Sequence, residues 1–592
     1  MLLAAQSVTA SVLDRFKLNF SPWRSWPSWA RVNFLVTIVG ALAGGMASLL
    51  HLGVHWCAHA LLQEPLKIPS GLIGQFALSP WGIAMILGIP ALGGLAVGLI
   101  FWKACPEAAG GGTTEILQSY HQRKAVMSGR VVPYKWLASC ITIGTGGSGG
   151  AEGPIAHIGA ATGSWLAQRL KLTEAERGLL FTAGIAGGIG AVFRAPLGGA
   201  LFACEMYYSN PELEDEAVVP SLIAAVSAYF VFGLIFGYQS LLPGDSQLNL
   251  SMANFASLGF LALLCALVAR AYVGWLDICS NGFKKALPMP WRPGLGGFFT
   301  GAVALAFILV AKVYLNSNAK ILSVFSEGYP VLDSAVLGAA VPLLLLAVLV
   351  GKLLTSGLTV GSGGSAGVFA PSMIIGGCLG GLVSAGMNGL GFAEGTPKGY
   401  VLAGMAAFFA AGTACPLASL VIITEVAQGY HLLPLLMWVV AIGYLLRPRP
   451  GLFKAQVPGS VDSPVHRAEL EAAFLRTRRV GQVCRTNGVV ALAGWRSLGS
   501  VFSMSRERGQ KFIPVIGRDG HYIGAMNAHD HPKGILAEEL VDPSVPFLTA
   551  DQDLASALTL MKTVHAGELA VVDENRQLVG LFGPQDLATG LN

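Results

Sequence analysis

Residues Gly146 to Pro154 read GGSGGAEGP, and residues Gly363 to Pro371 read GGSAGVFAP. The two phrases align without a gap, and only the first carries a carboxylate, Glu152. Both lie in strongly apolar sequence. Glycine-rich, bare-backbone segments repeated at membrane depth are the mark of broken helices that meet at a central site. The repeat continues outward. Residues 178–205 (GLLFTAGIAGGIGAVFRAPLGGALFACE) align with residues 398–425 (KGYVLAGMAAFFAAGTACPLASLVIITE), pairing Ala183 with Ala403, Gly184 with Gly404, Pro196 with Pro416 and Glu205 with Glu425. The first phrase recurs 217 residues on and the second 220, so the apolar part is two homologous halves, about 33–250 and 255–450. The alignment leaves open whether the halves run parallel or inverted.

The composition supports a membrane setting. The chain has 592 residues, 53% hydrophobic and 12% charged, where a soluble domain carries about 25% charged residues. Apolar segments of crossing length, about 20 residues, fall at 33–53, 83–102, 217–238, 257–276, 295–315 and 335–355. Four others, 137–163, 178–206, 358–387 and 398–427, are interrupted by Gly and Pro. Broken spans are tolerated only where the backbone lines protein or a wet cavity, so these four are expected to surround the site. Basic clusters at Arg15 to Arg31, His121 to Lys135, Lys284 to Arg292 and Arg447 to Lys454 place both termini in the cytoplasm by the positive-inside rule. The nine cysteines are scattered and form no CxxC pair, which argues against a disulfide framework or a metal site. No signal peptide is expected, because apolar sequence begins only near Val32. No basic run with interleaved aromatics suggests nucleic acid.

The chemistry of the phrases follows from backbone. Helix N-termini expose unpaired N–H groups and partial positive charge, and two converging from two halves make a cage suited to an anion. Such a cage binds without a fixed cation, which favours throughput. Glu152 beside it can occupy the cage as a tethered anion and leave when protonated; the alternative is a glutamate capping the helix that starts at Gly153-Pro154. Two generic motifs compete. Gly144 to Gly149 satisfies GxGxxG, without the preceding strand and following acidic residue of a dinucleotide fold. Both phrases satisfy GxSxG, and an intramembrane serine hydrolase built on Ser148 with His157 as base is a remote alternative. Otherwise no catalytic residue is expected.

These motifs resemble those of the CLC chloride channel and chloride/proton antiporter family. The GREGP phrase of that family is similar to Gly150-Ala151-Glu152-Gly153-Pro154, its GxFxP to Gly367-Val368-Phe369-Ala370-Pro371, and its first anion-site phrase to Gly110-Gly111-Gly112-Thr113-Thr114-Glu115. The resemblance implies an all-α polytopic membrane domain of two inverted repeats, a homodimer in the cell membrane with one anion path per subunit, and Glu152 as the gate. It assigns the anion path to Gly111, Gly112, Gly150, Ala151, Gly153, Gly367, Val368, Phe369, Ala370 and Phe453. Lys135, 17 residues before Glu152, matches a basic residue of the family; the alternative is a lysine snorkelling to the interface.

The departures concern side chains. The family serine and tyrosine that face the central anion correspond to Gly111 and Phe453, so two hydroxyls are absent. The inner proton-relay glutamate falls at Met206. These changes favour channel-like or loosely coupled chloride conduction gated by protonation of Glu152, with proton-coupled chloride/H+ antiport as the alternative.

The tail differs from the rest. Residues 512–530 and 568–586 repeat a strand, turn, strand and helix start ending in Asp, with helical stretches before them at Arg496–Arg508 and Asp553–Val564. This resembles a C-terminal α/β pair of CBS domains, which implies adenine-nucleotide binding through Asp530 and Asp586 or, alternatively, dimerisation alone. The domain reading is a cytoplasmic segment at 1–32, the membrane domain at 33–450, a linker at 451–480, and CBS modules at 481–535 and 536–592.

Overall fold

A computed structural model describes residues 26–66, 75–239, 241–242, 251–316, 319–391, 395–487, 489–493, 510, 512–527 and 541–587. Asp530 and the expected helix at Arg496–Arg508 lie outside the described residues. The chain forms two compact units, Met1–Ser463 and Pro464–Asn592.

The first unit is helical. Its helices are α1 (Ser28–Ala58), α2 (Pro80–Lys103), α3 (Thr113–Arg123), α4 (Val131–Gly144), α5 (Glu152–Arg169), α6 (Glu174–Phe193), α7 (Pro196–Glu205), α8 (Asp215–Phe236), α9 (Met252–Ala286), α10 (Trp291–Tyr314), α11 (Pro330–Val336), α12 (Pro342–Gly361), α13 (Phe369–Gly389), α14 (Pro397–Thr413), α15 (Pro416–Ala427) and α16 (Leu433–Leu445). Seven helices among the described residues are long and apolar enough to span a bilayer. The chain is an integral membrane protein. The span expected at 335–355 is displaced: α11 ends at Val336, Gly338 turns with φ +68°, and Pro342 starts α12. Proline has no N–H for an ongoing helix but fits a first turn.

The breaks fall where glycine and proline put them. The span at 137–163 divides into α4 and α5, and the matching span into α12 and α13. At the equivalent turns Gly146 and Gly363 hold φ of +97° and +99°, a conformation that a side chain resists. The α6/α7 and α14/α15 breaks also match, with Arg194 and Ala414 at φ +53° and +61°, each followed two residues later by Pro196 or Pro416.

Equivalent atoms of the two halves bind each other reciprocally. The Gly150 N–H donates to Gly367 O at 2.9 Å, and the Gly367 N–H returns a bond to Gly150 O at 2.8 Å. The Ser148 N–H donates to Thr359 Oγ1 at 3.0 Å and the Ser365 N–H to Thr142 Oγ1 at 3.1 Å. Glu205, ending α7, accepts from the first-turn amides of Leu417 and Ala418 in α15 at 3.0 and 2.7 Å. Glu425, in the last turn of α15, accepts from Leu197 and Gly198 in α7 at 3.2 and 2.7 Å. Each helix thus carries the carboxylate that caps the other, which requires the pair to run antiparallel. Equivalent helices that oppose in direction make the repeat inverted, resolving what alignment left open.

The second unit holds two three-stranded sheets of one topology. In the first, β1 (Leu492–Ala493) runs parallel to β2 (Phe512–Ile516), which pairs antiparallel with β3 (Tyr522–Asn527). In the second, β4 (Leu548–Thr549), β5 (Leu569–Val572) and β6 (Leu578–Phe582) repeat the pattern. The registers coincide: Leu492 faces Val515 as Leu548 faces Val571, and the bulge at Val515/Ile516 recurs at Val571/Val572. Helices α17 (Arg467–Thr477), α18 (Val480–Val483) and α19 (Leu554–Thr563) complete the unit. The tandem α/β pair read from the sequence is present.

Candidate functional site

The site lies where the two glycine-rich phrases cross. A Cβ added at Gly153 would meet Gly111 O at 2.7 Å and Gly367 Cα at 3.1 Å, and one at Gly111 would meet Ala366 O at 3.2 Å. The loop 110–112, the phrase around Gly150 and the phrase around Gly367 therefore converge at backbone contact. The N-termini of α5 and α13, which begin at Glu152 and Phe369, meet here with their free amides. Gly150, Ala151, Gly153, Gly367, Phe369 and Ala370 are buried, whereas Gly111 and Val368 are partly exposed.

Glu152 is 1% exposed. It does not cap its own helix. Tyr329 Oη donates to Glu152 Oε1 at 2.7 Å, while Oε2 lies so close over Gly150 that any side chain there would collide with it. Oε2 closes no hydrogen bond among the described residues; the amides of Ala370 and of Glu152 itself are its polar neighbours. The carboxylate thus sits at the joined helix N-termini, the position a mobile anion would take, held by one phenol.

Phe369 is packed by Phe409 and Phe193, with ring centroids at 4.0 and 4.5 Å, and Phe202 at 5.5 Å links it to Phe453 at 6.1 Å. Phe453 is 4% exposed. This aromatic cluster stands where the sequence lacks its hydroxyl. Met206 is fully buried, and Gln456 Nε2 donates to its carbonyl at 3.1 Å. Nearby, the buried Glu214 donates its N–H to Cys204 O and accepts from Tyr208 Oη.

Lys135 and Lys352 are buried instead of snorkelling. Lys135 Nζ donates to Ala108 O at 3.1 Å and to Gly110 O, fixing the loop 110–112. Its repeat equivalent Lys352 donates to Phe325 O at 3.3 Å and Ser326 O at 2.6 Å, fixing the loop that carries Glu327 and Tyr329. The interfacial reading of Lys135 is corrected: its ammonium finds carbonyl partners inside, so it has no need to reach water. Tyr329, Lys352, Glu327 and Glu214 escaped the sequence reading. The signal was there, because the offset of 217 that pairs the phrases also pairs Lys135 with Lys352 and Gly112 with Tyr329.

No hydrolase is assembled. Ser148 Oγ and both ring nitrogens of His157 lack hydrogen-bond partners among the described residues, so no nucleophile–base pair exists. In the C-terminal unit Asp586 is 2% exposed; its carboxylate pairs with Arg485 Nε at 2.7 Å and accepts from the Gly583 N–H at 2.8 Å.

Inverted repeats with broken helices, meeting in an amide-lined site at membrane depth, define an ion transporter. The profile of the voltage gated chloride channel family matches residues 93–447, and that of the CBS domain matches residues 537–592. The chain belongs to the CLC family of voltage gated chloride channels and transporters, and is an anion-transport protein, not an enzyme. It is 30% identical over 421 residues to the H(+)/Cl(-) exchange transporter ClcA of Vibrio cholerae serotype O1 (strain M66-2), covering 69% of this chain and 84% of that protein. A ClcB-like chloride channel protein of Ralstonia nicotianae is 26% identical over 417 residues, covering 69% and 92%. Among solved structures, a eukaryotic CLC transporter has a TM-score of 0.56 at 20% identity and covers 94% of this chain and 98% of its own.

Proposed function

We infer that this protein exchanges chloride for protons, with Glu152 as the group that both blocks the anion path and carries the proton. The observation that carries this reading is the placement of Glu152: a titratable carboxylate, held by the Tyr329 hydroxyl at the joined N-termini of α5 and α13. Ionised, it substitutes for the anion. Protonated, it loses its attraction to the amides and yields the site to chloride. Coupling then arises because anion and proton compete for one position. The relative in Vibrio cholerae named as an H(+)/Cl(-) exchange transporter supports exchange over the channel-like conduction expected from the missing hydroxyls.

Met206 favours the second reading, loosely coupled conduction, since a thioether carries no proton. Exchange needs another inner carboxylate, and the buried, tyrosine-bound Glu214 is the residue proposed. The basic clusters support cytoplasmic termini in the cell membrane, and the family resemblance supports a homodimer with one path per subunit. A nucleotide at Asp586 would have to displace Arg485, so dimerisation is the role proposed for the C-terminal pair.

Chloride efflux from proteoliposomes, with protons recorded at the same time, tests the exchange. Uphill proton movement driven by a chloride gradient is expected, with Glu214→Gln reducing proton movement and sparing chloride. Proton flux absent under every chloride gradient leaves conduction as the function. Glu152→Gln is expected to give chloride flux that no longer depends on pH.

A further inference from the structure

A cavity of about 460 Å³ opens over the gate, and Glu152 forms part of its wall. Glu327 and Tyr329 line the same cavity. Glu327 lies within electrostatic reach of both Glu152 and Lys352, and it stands two residues before the tyrosine that holds the gate. Lys352 binds the carbonyl of Ser326 at 2.6 Å, and a Cβ on Gly328 would meet its Nζ at 2.9 Å. The lysine therefore lies directly beneath the loop that carries Glu327. Glu152 and the partly exposed Glu327 share this cavity wall, and the ammonium of Lys352 lies behind it.

The other groups facing this recess are few. His51 and His55 come from α1 and Asp333 from α11. Arg194 acts on His51, Lys320 on Asp333, and Cys378 of α13 on Lys352. Asp333 is half-exposed and has Lys320 as its counter-charge. The imidazoles flank one another, with ring centroids at 4.3 Å. Among the carboxylates on the wall, Glu327 is the one coupled by charge both to Glu152 and to the lysine under its loop.

We propose that Glu327 is the outer partner of the gate: it takes a proton from water in the cavity, passes it to Glu152, and by its own charge sets the pH at which Glu152 lets go of the anion site. This rests on Glu152 acting as the gate. In the transfer, the O–H bond on the Glu327 carboxyl breaks and one forms on the Glu152 carboxylate, with water as the bridge. The charge of the cluster is unchanged, because the proton only moves from one carboxyl to the other, and Lys352 lies within electrostatic reach of both. An ionised Glu327 repels a negative Glu152 and so makes the gate bind its proton more readily. Two groups coupled in this way titrate as a pair.

The test is chloride flux through the full-length protein in liposomes as a function of external pH. Glu327→Gln and Glu327→Ala both remove the charge, and either one that yields monodisperse protein suffices. Each is expected to move the midpoint about one pH unit lower, roughly tenfold in proton concentration. Glu327→Asp is expected to return the midpoint most of the way. A midpoint unmoved by both neutral variants overturns the proposal. Glu152→Gln separates the two levels. If its flux keeps full pH dependence, the gate reading itself fails. If that dependence vanishes while the Glu327 variants behave as the unmodified protein, only the outer partner fails.

Discussion

Tyr329 donates to Glu152 Oε1 at 2.7 Å, and under the proposed function this is the hydrogen bond that keeps the carboxylate at the joined helix N-termini. A bond to a charged oxygen is worth about 1 kcal/mol or more net. Tyr329→Phe removes the donor and keeps the ring, so chloride flux at neutral pH is expected to rise about fivefold, measured as liposome efflux. Unchanged flux would mean that the phenol is incidental to gating. A second residue-scale prediction concerns Asp553, outside the membrane. Its carboxylate accepts from the Ser556 N–H at 2.9 Å and from Ser556 Oγ at 2.7 Å. The backbone bond first, then the hydroxyl, hold its carboxyl below the usual carboxylate range. The folded state thus binds this proton more weakly than the unfolded chain does. The stabilisation is present above the unfolded value near 4 and is lost as pH falls through the lower folded value. Asp553→Ala is expected to lower the hydrogen-exchange protection of α19 at pH 7 and to remove the further loss of protection that acidification causes in the unmodified protein.

At the scale of elements, the two threonines that cross between the halves are equivalent. Thr142 accepts from Ser365 and Thr359 from Ser148, both at buried amides. Thr142→Val or Thr359→Val keeps the shape and strands a buried N–H, at a cost of about 1–3 kcal/mol. Thermal unfolding in detergent is expected to fall for both, and further for Thr359→Val, because Thr359 Oγ1 also meets Thr300 Oγ1 at 3.1 Å. A large loss for one and none for the other would break the equivalence. Much of this architecture was legible in the sequence. The glycine phrases marked the breaks, the Pro196/Pro416 and Glu205/Glu425 matches marked the second crossing, and the recurrence of residues 512–530 at 568–586 in the tail marked the two sheets. Tyr329 and Lys352 were not read, because their partners are far along the chain: the contacts from Tyr329 to Glu152 and from Lys352 to Ser326 are set by how α5, α11 and α12 come together. Local pattern carries helix breaks; it does not carry which loop covers which helix end. Gly111 and Phe453 were read as missing hydroxyls, and the cluster that fills their place, Phe193, Phe202, Phe369 and Phe409, emerged only from packing.

At the scale of the whole molecule, the membrane unit closes on itself. Residues 451–463 belong to it: Gln456 Nε2 bridges the carbonyls of Met206, Tyr208 and Thr413 at 3.0–3.1 Å, and Ser463 Oγ meets His121 Nδ1 at 2.9 Å. A chain ending at Ser463 therefore retains the contacts described above around the site. Its chloride flux in liposomes is expected to stay within about twofold of the full chain, since no site contact of about 0.5 kcal/mol or more is removed. Loss of flux would assign the C-terminal unit a part in transport.

The reciprocal caps have a consequence for how the protein is made. When the ribosome has delivered the first half, Glu205 is a carboxylate with no amides to accept, Gly150 has neither bond to Gly367, and the first turn of α7 awaits Glu425. The Gly150 bonds wait for Gly367, 217 residues on, and the two carboxylate caps wait until α15 has been threaded into the bilayer, about 220 residues later. Until then these carboxylates and amides are unpaired at membrane depth, where an unsatisfied polar group is costly. The symmetry of the crossing thus leaves the first half incomplete until the second has been made.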